Sequence, residues 1–296
     1  MSLFGELSAL LTSFLWSISS FAFTAASERM GSLQLNVNRL FIAAVFLFAT
    51  IFVGGISFSI SLSQVIYLSI SGIIGLVLGD TFLFKAFQHV GARISMLMMA
   101  LSPAMSALLA YFFLKEYISI WGITGMLITI IGIGLVVVER HEVPSSKYKI
   151  SKVGIFYGFV GALGQAGGLV FAKFAFESGS INGFLATFIR IAASFIIMLP
   201  LAVIAKRFRN PFLLYKNDLK ALYSTLAGTF FGPYLGITFS LLAVEYTKVG
   251  IASTLMSMMP IIMLPIVHFY YKEKLNWQSI TGAVIAVFGV AILFLR

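Results

Sequence analysis

The sequence predicts an all-α integral membrane protein with ten transmembrane helices, arranged as two inverted five-helix repeats. Hydrophobic residues make up 60% of the 296 residues and charged residues only 10%, whereas about a quarter of the residues of a soluble domain are charged. The apolar residues form ten stretches, each of about the 20 residues that cross a bilayer as a helix. A pattern in the first half of the chain also recurs in the second half.

The ten apolar segments are continuous, which favours helices because the strands of a membrane barrel alternate between apolar and polar residues. The first segment lacks a basic leading region and a convincing cleavage site, so we expect a helix there and not a removed signal peptide. The predicted segments are 7–25, 35–53, 65–87, 94–114, 118–138, 153–176, 181–205, 219–243, 249–271 and 277–295.

Composition excludes several classes of function. The chain has no cysteine, so disulfides and thiolate metal sites are excluded. The net charge of +10 comes from basic residues in the connections, notably 140–152 and 206–220, and membrane topology explains it better than nucleic-acid binding. The three histidines have no metal-ligand spacing, and we find no ATP-binding motif and no pairing of a nucleophile with a base. We therefore expect neither an enzyme nor a cofactor.

The phrase "YFFLKEYISIWGITG", which begins at Tyr111, recurs as "HFYYKEKLNWQSITG", which begins at His268. Subtracting 111 from 268 gives a shift of 157, and the same shift relates Pro103 to Pro260. Further matches at this shift are Gly75 with Gly232, Gly79 with Gly236, Met99 with Met256, Gly125 with Gly282 and Gly132 with Gly289. Because each half has an odd number of predicted crossings, the second half enters the membrane from the opposite side, as in many secondary transporters. A duplicated but static helical bundle is the structural alternative.

The repeat predicts a division into a first five-helix unit, a basic linker and a second five-helix unit, at 1–140, 141–152 and 153–296. With the paired prolines and the Lys-Glu phrases ahead of "ITG", this pattern resembles the EamA-type members of the drug/metabolite transporter superfamily. The resemblance implies a transporter of small solutes, often an exporter of amino acids or other metabolites. It also implies a central cavity lined by the first, third and fourth helices of each half, with the fifth helices at the periphery.

Asp80 is the most informative single residue, because an acidic side chain within an apolar helix is costly unless it is solvated, paired or protonated. As a functional group it would bind substrate or a coupling proton. As a structural group it would pair with Arg39 or Lys85. Its repeat equivalent is Ile237, so either role is confined to one half.

Arg39 and Arg190 are each near the start of the second helix of their half, and a guanidinium suits a carboxylate or a phosphate. We expect Arg39 to reach toward the lipid headgroups and Arg190, which is deeper, to bind substrate or an ion-pair partner. Pro103 and Pro260 are predicted to kink the fourth helix of each half, because proline removes a backbone donor.

Six further residues complete the predicted substrate-binding set. They add polar, aromatic or flexible thioether groups to helices that the resemblance assigns to the cavity. They are Trp16, Met99, Gln165, Tyr234, Thr238 and Met256. Glu116 and Glu273 are expected to be structural, each at the N-terminus of the helix that follows it.

The leading hypothesis is a secondary transporter in the cell membrane that moves amino acids or related metabolites outward by alternating access, with a proton at Asp80 as the possible coupling ion. The alternatives are a carrier of phosphorylated sugars or nucleotide sugars, and a membrane receptor or scaffold that transports nothing. The expected partners are a small-molecule substrate, the bilayer and protons, in a monomer or homodimer. Most basic connections follow odd-numbered segments, which places both termini outside. The resemblance places them in the cytoplasm.

Overall fold

The computed structural model describes residues 3–139, 151–271 and 277–295, and over these residues the regular structure is helical throughout. This confirms the all-α class. The α-helices are α1 Phe4–Met30, α2 Ser32–Val53, α3 Leu62–Gly72, α4 Asp80–Met99, α5 Ser102–Leu114, α6 Ile120–Glu139, α7 Lys152–Glu177, α8 Gly183–Ile204, α9 Pro211–Asn217, α10 Leu219–Thr229, α11 Ile237–Tyr246, α12 Val249–Met256, α13 Met259–Tyr271 and α14 Trp277–Leu295. Two π-helical turns, Ile73–Gly79 and Phe230–Gly236, join α3 to α4 and α10 to α11.

Seven helices in the described part of the chain are long and apolar enough to cross a membrane. Three shorter apolar helices, Ser102–Leu114, Ile120–Val136 and Val249–Pro265, occupy the remaining predicted positions. The multi-pass architecture follows from these helices, whereas the count of ten crossings stays a prediction.

The third and fourth predicted segments differ from the expectation. The connection expected between residues 87 and 94 is helical, because α4 continues to Met99. This stretch contains no proline, so its backbone can keep every helical hydrogen bond. The chain breaks instead at Ala100 and Leu101, and Pro103 lies in the first turn of α5. The second half breaks at the equivalent position, with Pro260 in the first turn of α13.

The two π-helical turns are related by the 157-residue repeat, because residues 73–79 and 230–236 correspond at that shift. Each turn packs its last glycine closely against the first helix of the other half. A Cβ atom on Gly79 would lie 3.3 Å from Gln165 on α7, and one on Gly236 would lie 2.5 Å from Nε1 of Trp16 on α1. Each half therefore contributes an irregular turn to the contact between halves, and such turns are frequent at functional sites.

The fifth helices of the two halves, α6 and α14, pack against each other through repeat-related glycines. A Cβ atom on Gly132 would lie 2.6 Å from the carbonyl oxygen of Gly282, and one on Gly125 would lie 2.9 Å from that of Gly289. Small residues let membrane helices approach closely, where van der Waals packing stabilises the pair.

We expect Gly132→Ala to destabilise the α6–α14 contact, because the new methyl group would meet the backbone of α14. The cost should be about 1–3 kcal/mol, as is usual for overpacking. Gly134→Ala is the matched control, since no atom lies within 4 Å of a Cβ built there. Thermal unfolding in detergent should show a lower Tm for Gly132→Ala alone. Equal midpoints for the two variants would contradict this contact.

Glu116 caps a helix of the opposite half. Its Oε2 accepts a hydrogen bond of 2.8 Å from the backbone N–H of Val249, the first residue of α12. The expectation that Glu116 caps the next helix is therefore wrong; the Ser119 hydroxyl accepts from an N–H at the start of α6 instead. Oε1 of Glu116 also lies 3.8 Å from Nζ of Lys173 on α7. Glu273, the repeat equivalent, lies outside the described residues.

Lys173 of α7 contacts the end of α11, across the break between α11 and α12 from the end that Glu116 caps. Its ammonium donates to the carbonyl oxygens of Val244 at 2.8 Å, Glu245 at 3.2 Å and Thr247 at 3.2 Å, which form the end of α11. A cation is favourable at this end of a helix. The break between α11 and α12 is thus held by one acid and one base that belong to other elements.

Burial raises the pKa of the Glu116 carboxyl, even though the Val249 N–H, Lys173 and Lys248 favour its charged form; the charge of Glu177 also raises this pKa. The folded state therefore holds this proton more tightly than the unfolded chain. We expect the stability of the wild type relative to Glu116→Gln to be greatest below the ordinary value of 4.5 and to fall as the pH rises through the raised pKa.

The measurement is the difference in Tm between the wild type and Glu116→Gln in detergent, taken from pH 4 to pH 8. The glutamine keeps an oxygen that can accept from Val249 but does not titrate. A difference that stays constant, or that grows in favour of the wild type as the pH rises, would contradict the burial of this carboxyl.

Candidate functional site

Asp80 forms a largely buried ion pair with Arg39, between helices α2 and α4. Asp80 begins α4, directly after the first π-helical turn, and its Oδ2 accepts from Nη2 of Arg39 on α2. The two side chains are 13% and 15% exposed. The expectation that Arg39 reaches toward the headgroups is therefore wrong, since pairing removes the cost of a lone buried charge. Lys85, the other partner considered for Asp80, lies over the rings of Phe82 and Tyr157.

Gln165 of α7 brings the second half of the chain to this ion pair. Its Nε2 donates to Oδ1 of Asp80 at 2.7 Å and to the carbonyl oxygen of Gly75 at 3.1 Å. Gly75 lies in the first π-helical turn. Gln165 therefore fixes the orientation of the Asp80 carboxylate relative to the turn that precedes it.

Arg190 of α8 is the second guanidinium beside Asp80, with which it interacts electrostatically, and it is only 2% exposed. It packs against Gly75, where a Cβ atom would lie 2.8 Å from its Nη2. Among the described residues its Nε has no hydrogen-bond partner. Arg190 is thus buried beside a shared carboxylate and keeps an unused donor.

The charges of this cluster, defined as Arg39, Asp80, Gln165 and Arg190, do not balance. Two guanidiniums carry +2 and one carboxylate carries −1, which leaves +1. The carboxylate has no repeat equivalent, because Ile237 occupies that position. A buried excess charge is unfavourable without a counterion, so the arrangement is suited to an anionic group.

Two residues missed by the sequence analysis support Arg39. Its Nε donates to Oδ1 of Asn36 at 2.8 Å, and its guanidinium carbon lies 5.4 Å from the centre of the Phe23 ring. Asn36 is three residues before Arg39 on the same helix, so the i, i+3 spacing is a signal that sequence reasoning could have used. Phe23 comes from α1, and nothing local in the sequence indicates that contact.

A second group of predicted site residues surrounds the other π-helical turn. The Tyr234 hydroxyl hydrogen-bonds with that of Thr50 at 2.8 Å, and the Tyr234 ring lies against Phe46, Phe184 and Phe230. The Thr238 hydroxyl donates to the carbonyl oxygen of Tyr234 at 2.5 Å. The Thr238 hydroxyl is therefore satisfied by the backbone of the turn that precedes α11, whereas Tyr234 links α2 to the turn.

The two predicted methionines differ in burial. Met256 is buried in a hydrophobic core that α12 shares with α5 and α7, and Met99 is half-buried at the end of α4. The structure brings together Asp80, Gln165 and Arg190. Trp16 packs against Gly236, which is in the same π-helical turn as Tyr234 and directly precedes α11, the helix that contains Thr238.

Two cavities lie outside the charged cluster. One, of about 430 Å³, is an open groove at the end of α2 lined by Ala49, Thr50, Val53 and Gly54. The other, of about 240 Å³, is apolar and is lined by residues of α5, α7 and the first π-helical turn. Neither is lined by a predicted site residue. The first is close to Tyr234 through the Thr50 hydroxyl.

The fold defines the class: a multi-pass membrane protein built from two repeats, with residues of both repeats in one buried charged cluster. A family model described as the EamA-like transporter family matches residues 3–138 and 152–295, which is nearly the whole chain. The chain belongs to the EamA-like transporter family, as the resemblance implied. Its members are membrane transporters of small molecules.

Comparison with solved structures supports the same fold. A structure titled only as the crystal structure of a protein matches with a TM-score of 0.76 and 16% sequence identity, over 98% of this chain and 96% of that one. At this identity the similarity shows the fold alone. No curated protein sequence matches the chain significantly.

We expect Arg39→Ala to be strongly destabilising, because it leaves Asp80 buried without its closest counter-charge. Breaking a buried pair in this way typically costs about 3–5 kcal/mol. Arg29→Ala is the matched control, since Arg29 pairs with Asp218 at the surface and exposed pairs contribute little. Thermal unfolding should show a large loss of Tm for Arg39→Ala only. A similar small loss for both would show that the Arg39–Asp80 pair is not buried as described.

Proposed function

We propose that this protein is a secondary transporter of the cell membrane that moves amino acids or related small metabolites by alternating access, with export as its direction. The observation that carries the proposal is the charged cluster, to which the first half contributes Arg39 and Asp80 and the second half contributes Gln165 and Arg190. Ionisable groups buried between inverted repeats are typical of substrate and ion sites in transporters. The outward direction and the preference for amino acids rest on the family.

The contacts between halves support the alternating-access part of the proposal. Glu116 of the first half caps α12 of the second half, and Lys173 of the second half pairs with Glu116. Both contacts join charged or backbone groups of opposite halves, so a rearrangement of the halves would break them. A duplicated but static bundle would carry the same copies, so movement of solute across sealed vesicles is what distinguishes the two.

The test is the release of a mixed pool of amino acids and other metabolites from sealed proteoliposomes, analysed by mass spectrometry, with and without a pH gradient. Empty vesicles are the control. Selective and saturable loss of one class of solute supports transport. If folded protein binds a solute but releases nothing from the pool, the protein is a receptor or scaffold, and the proposal is wrong.

We expect Asp80→Asn to abolish the dependence of transport on the pH gradient. Asparagine keeps the shape of the side chain and one acceptor oxygen, but it cannot exchange a proton. The measurement compares initial rates of release for the wild type and Asp80→Asn at matched and opposed pH, with Asp218→Asn as the surface control. An unchanged pH response in Asp80→Asn would remove Asp80 as the proton-coupling group.

A further inference from the structure

We propose that the charged cluster selects its substrate by net charge and takes a small carboxylate of net charge −1, which binds to the guanidinium of Arg190. This inference rests on the proposed transport function and narrows its substrate class. It disfavours zwitterionic amino acids and phosphate esters, and it favours simple organic acids and acidic amino acids.

The first step is the incomplete pairing of Arg190. Asp80 already accepts from both Arg39 and Gln165, one through each carboxylate oxygen. Asp80 interacts electrostatically with Arg190, but Nε of Arg190 has no hydrogen-bond partner among the described residues. A buried donor without an acceptor is costly. A ligand oxygen would satisfy it.

The second step concerns the residues that pack against Arg190, which include two glycines. A Cβ atom on Gly72 would overlap the carbonyl oxygen of Arg190 and lie 2.5 Å from the Ser194 hydroxyl, and one on Gly75 would lie 2.8 Å from the guanidinium. The same Cβ atom on Gly75 would lie 3.6 Å from the Cα atom of Gly168 on α7. The backbone of α3 and of the first π-helical turn thus lies directly against Arg190, and a methyl group at Gly75 would contact its guanidinium.

The third step is the charge count. The cluster carries +1, so a bound monoanion brings it to zero. A phosphate ester with a charge of −1.5 to −2 at neutral pH would leave it negative, and a zwitterion would leave it at +1. Electrostatic interactions are strong in a low-dielectric interior, so the neutral complex is favoured. A carboxylate oxygen can accept a charge-assisted hydrogen bond from the Nε–H of Arg190.

The net charge of the cluster predicts how each substitution changes the net charge of the ligand that binds best. Asp80→Asn raises the cluster to +2 and should shift the preference to a dianion. Arg190→Gln lowers it to zero and should shift the preference to a neutral or zwitterionic compound. Gly75→Ala keeps the charge at +1 but places a methyl group against the guanidinium, so it should weaken binding of every anion.

The experiment measures equilibrium binding to purified protein in detergent with three probes at pH 7.5: isovalerate, leucine and glycerol 3-phosphate, with net charges near −1, 0 and −2. We expect the wild type to bind isovalerate about tenfold more tightly than the other two, since a charge-assisted hydrogen bond contributes that much or more. Arg29→Gln removes one surface arginine and should leave this order unchanged.

Asp80→Asn should reverse the order of isovalerate and glycerol 3-phosphate, and Arg190→Gln should lose the anion preference. If the wild type binds leucine or glycerol 3-phosphate as tightly as isovalerate, the inference is overturned, and this result needs no variant to be folded. Leucine transport in the metabolite-pool experiment would then leave the proposed transport function standing. Failure of transport for the whole pool would instead remove the proposed function.

Discussion

The buried carboxylate of Asp80 sets the constraint on this structure. Asp80 begins a helix among apolar helices and its repeat equivalent is the apolar Ile237, so its charge must be compensated by residues from elsewhere. Arg39 provides the ion pair and Gln165 the second hydrogen bond. Because these partners come from different halves, the compensation of one charge also connects the two repeats. The Asp80–Arg39 pair is therefore both a structural contact and the centre of the candidate site.

The two halves pack against each other through contacts that occur in both halves. Each has a π-helical turn whose glycine packs against the first helix of the other half, and the fifth helices share reciprocal glycine contacts. The symmetry is broken by charge. Gln165 packs against Gly79 whereas Trp16 packs against the equivalent Gly236, and Asp80 lies where the other half has Ile237. One turn is thus polar and ionic while its counterpart is aromatic, which gives the site two chemically different sides.

Sequence periodicity predicted the apolar helices and the repeat because both depend on residue type along the chain. The 157-residue shift located equivalent glycines and prolines, and the cost of a charge in an apolar helix identified Asp80. The sequence did not show which of Arg39 and Lys85 would pair with Asp80, because that choice depends on how α2 and α4 pack. It also placed Glu116 on the wrong helix. The nearest helix N-terminus in sequence belongs to α6, but the N–H that donates to Glu116 belongs to Val249 of α12.

The most direct test of the account is whether the region around the cluster opens to both sides of the membrane. The chain has no cysteine, so Ser71→Cys, beside the first π-helical turn, provides a single thiol. Its reactivity with a membrane-impermeant reagent can be measured from inside and outside sealed vesicles of known orientation. The account predicts slow labelling from both sides, with a solute that the protein transports altering both rates. Labelling from one side only, unaffected by that solute, would contradict alternating access.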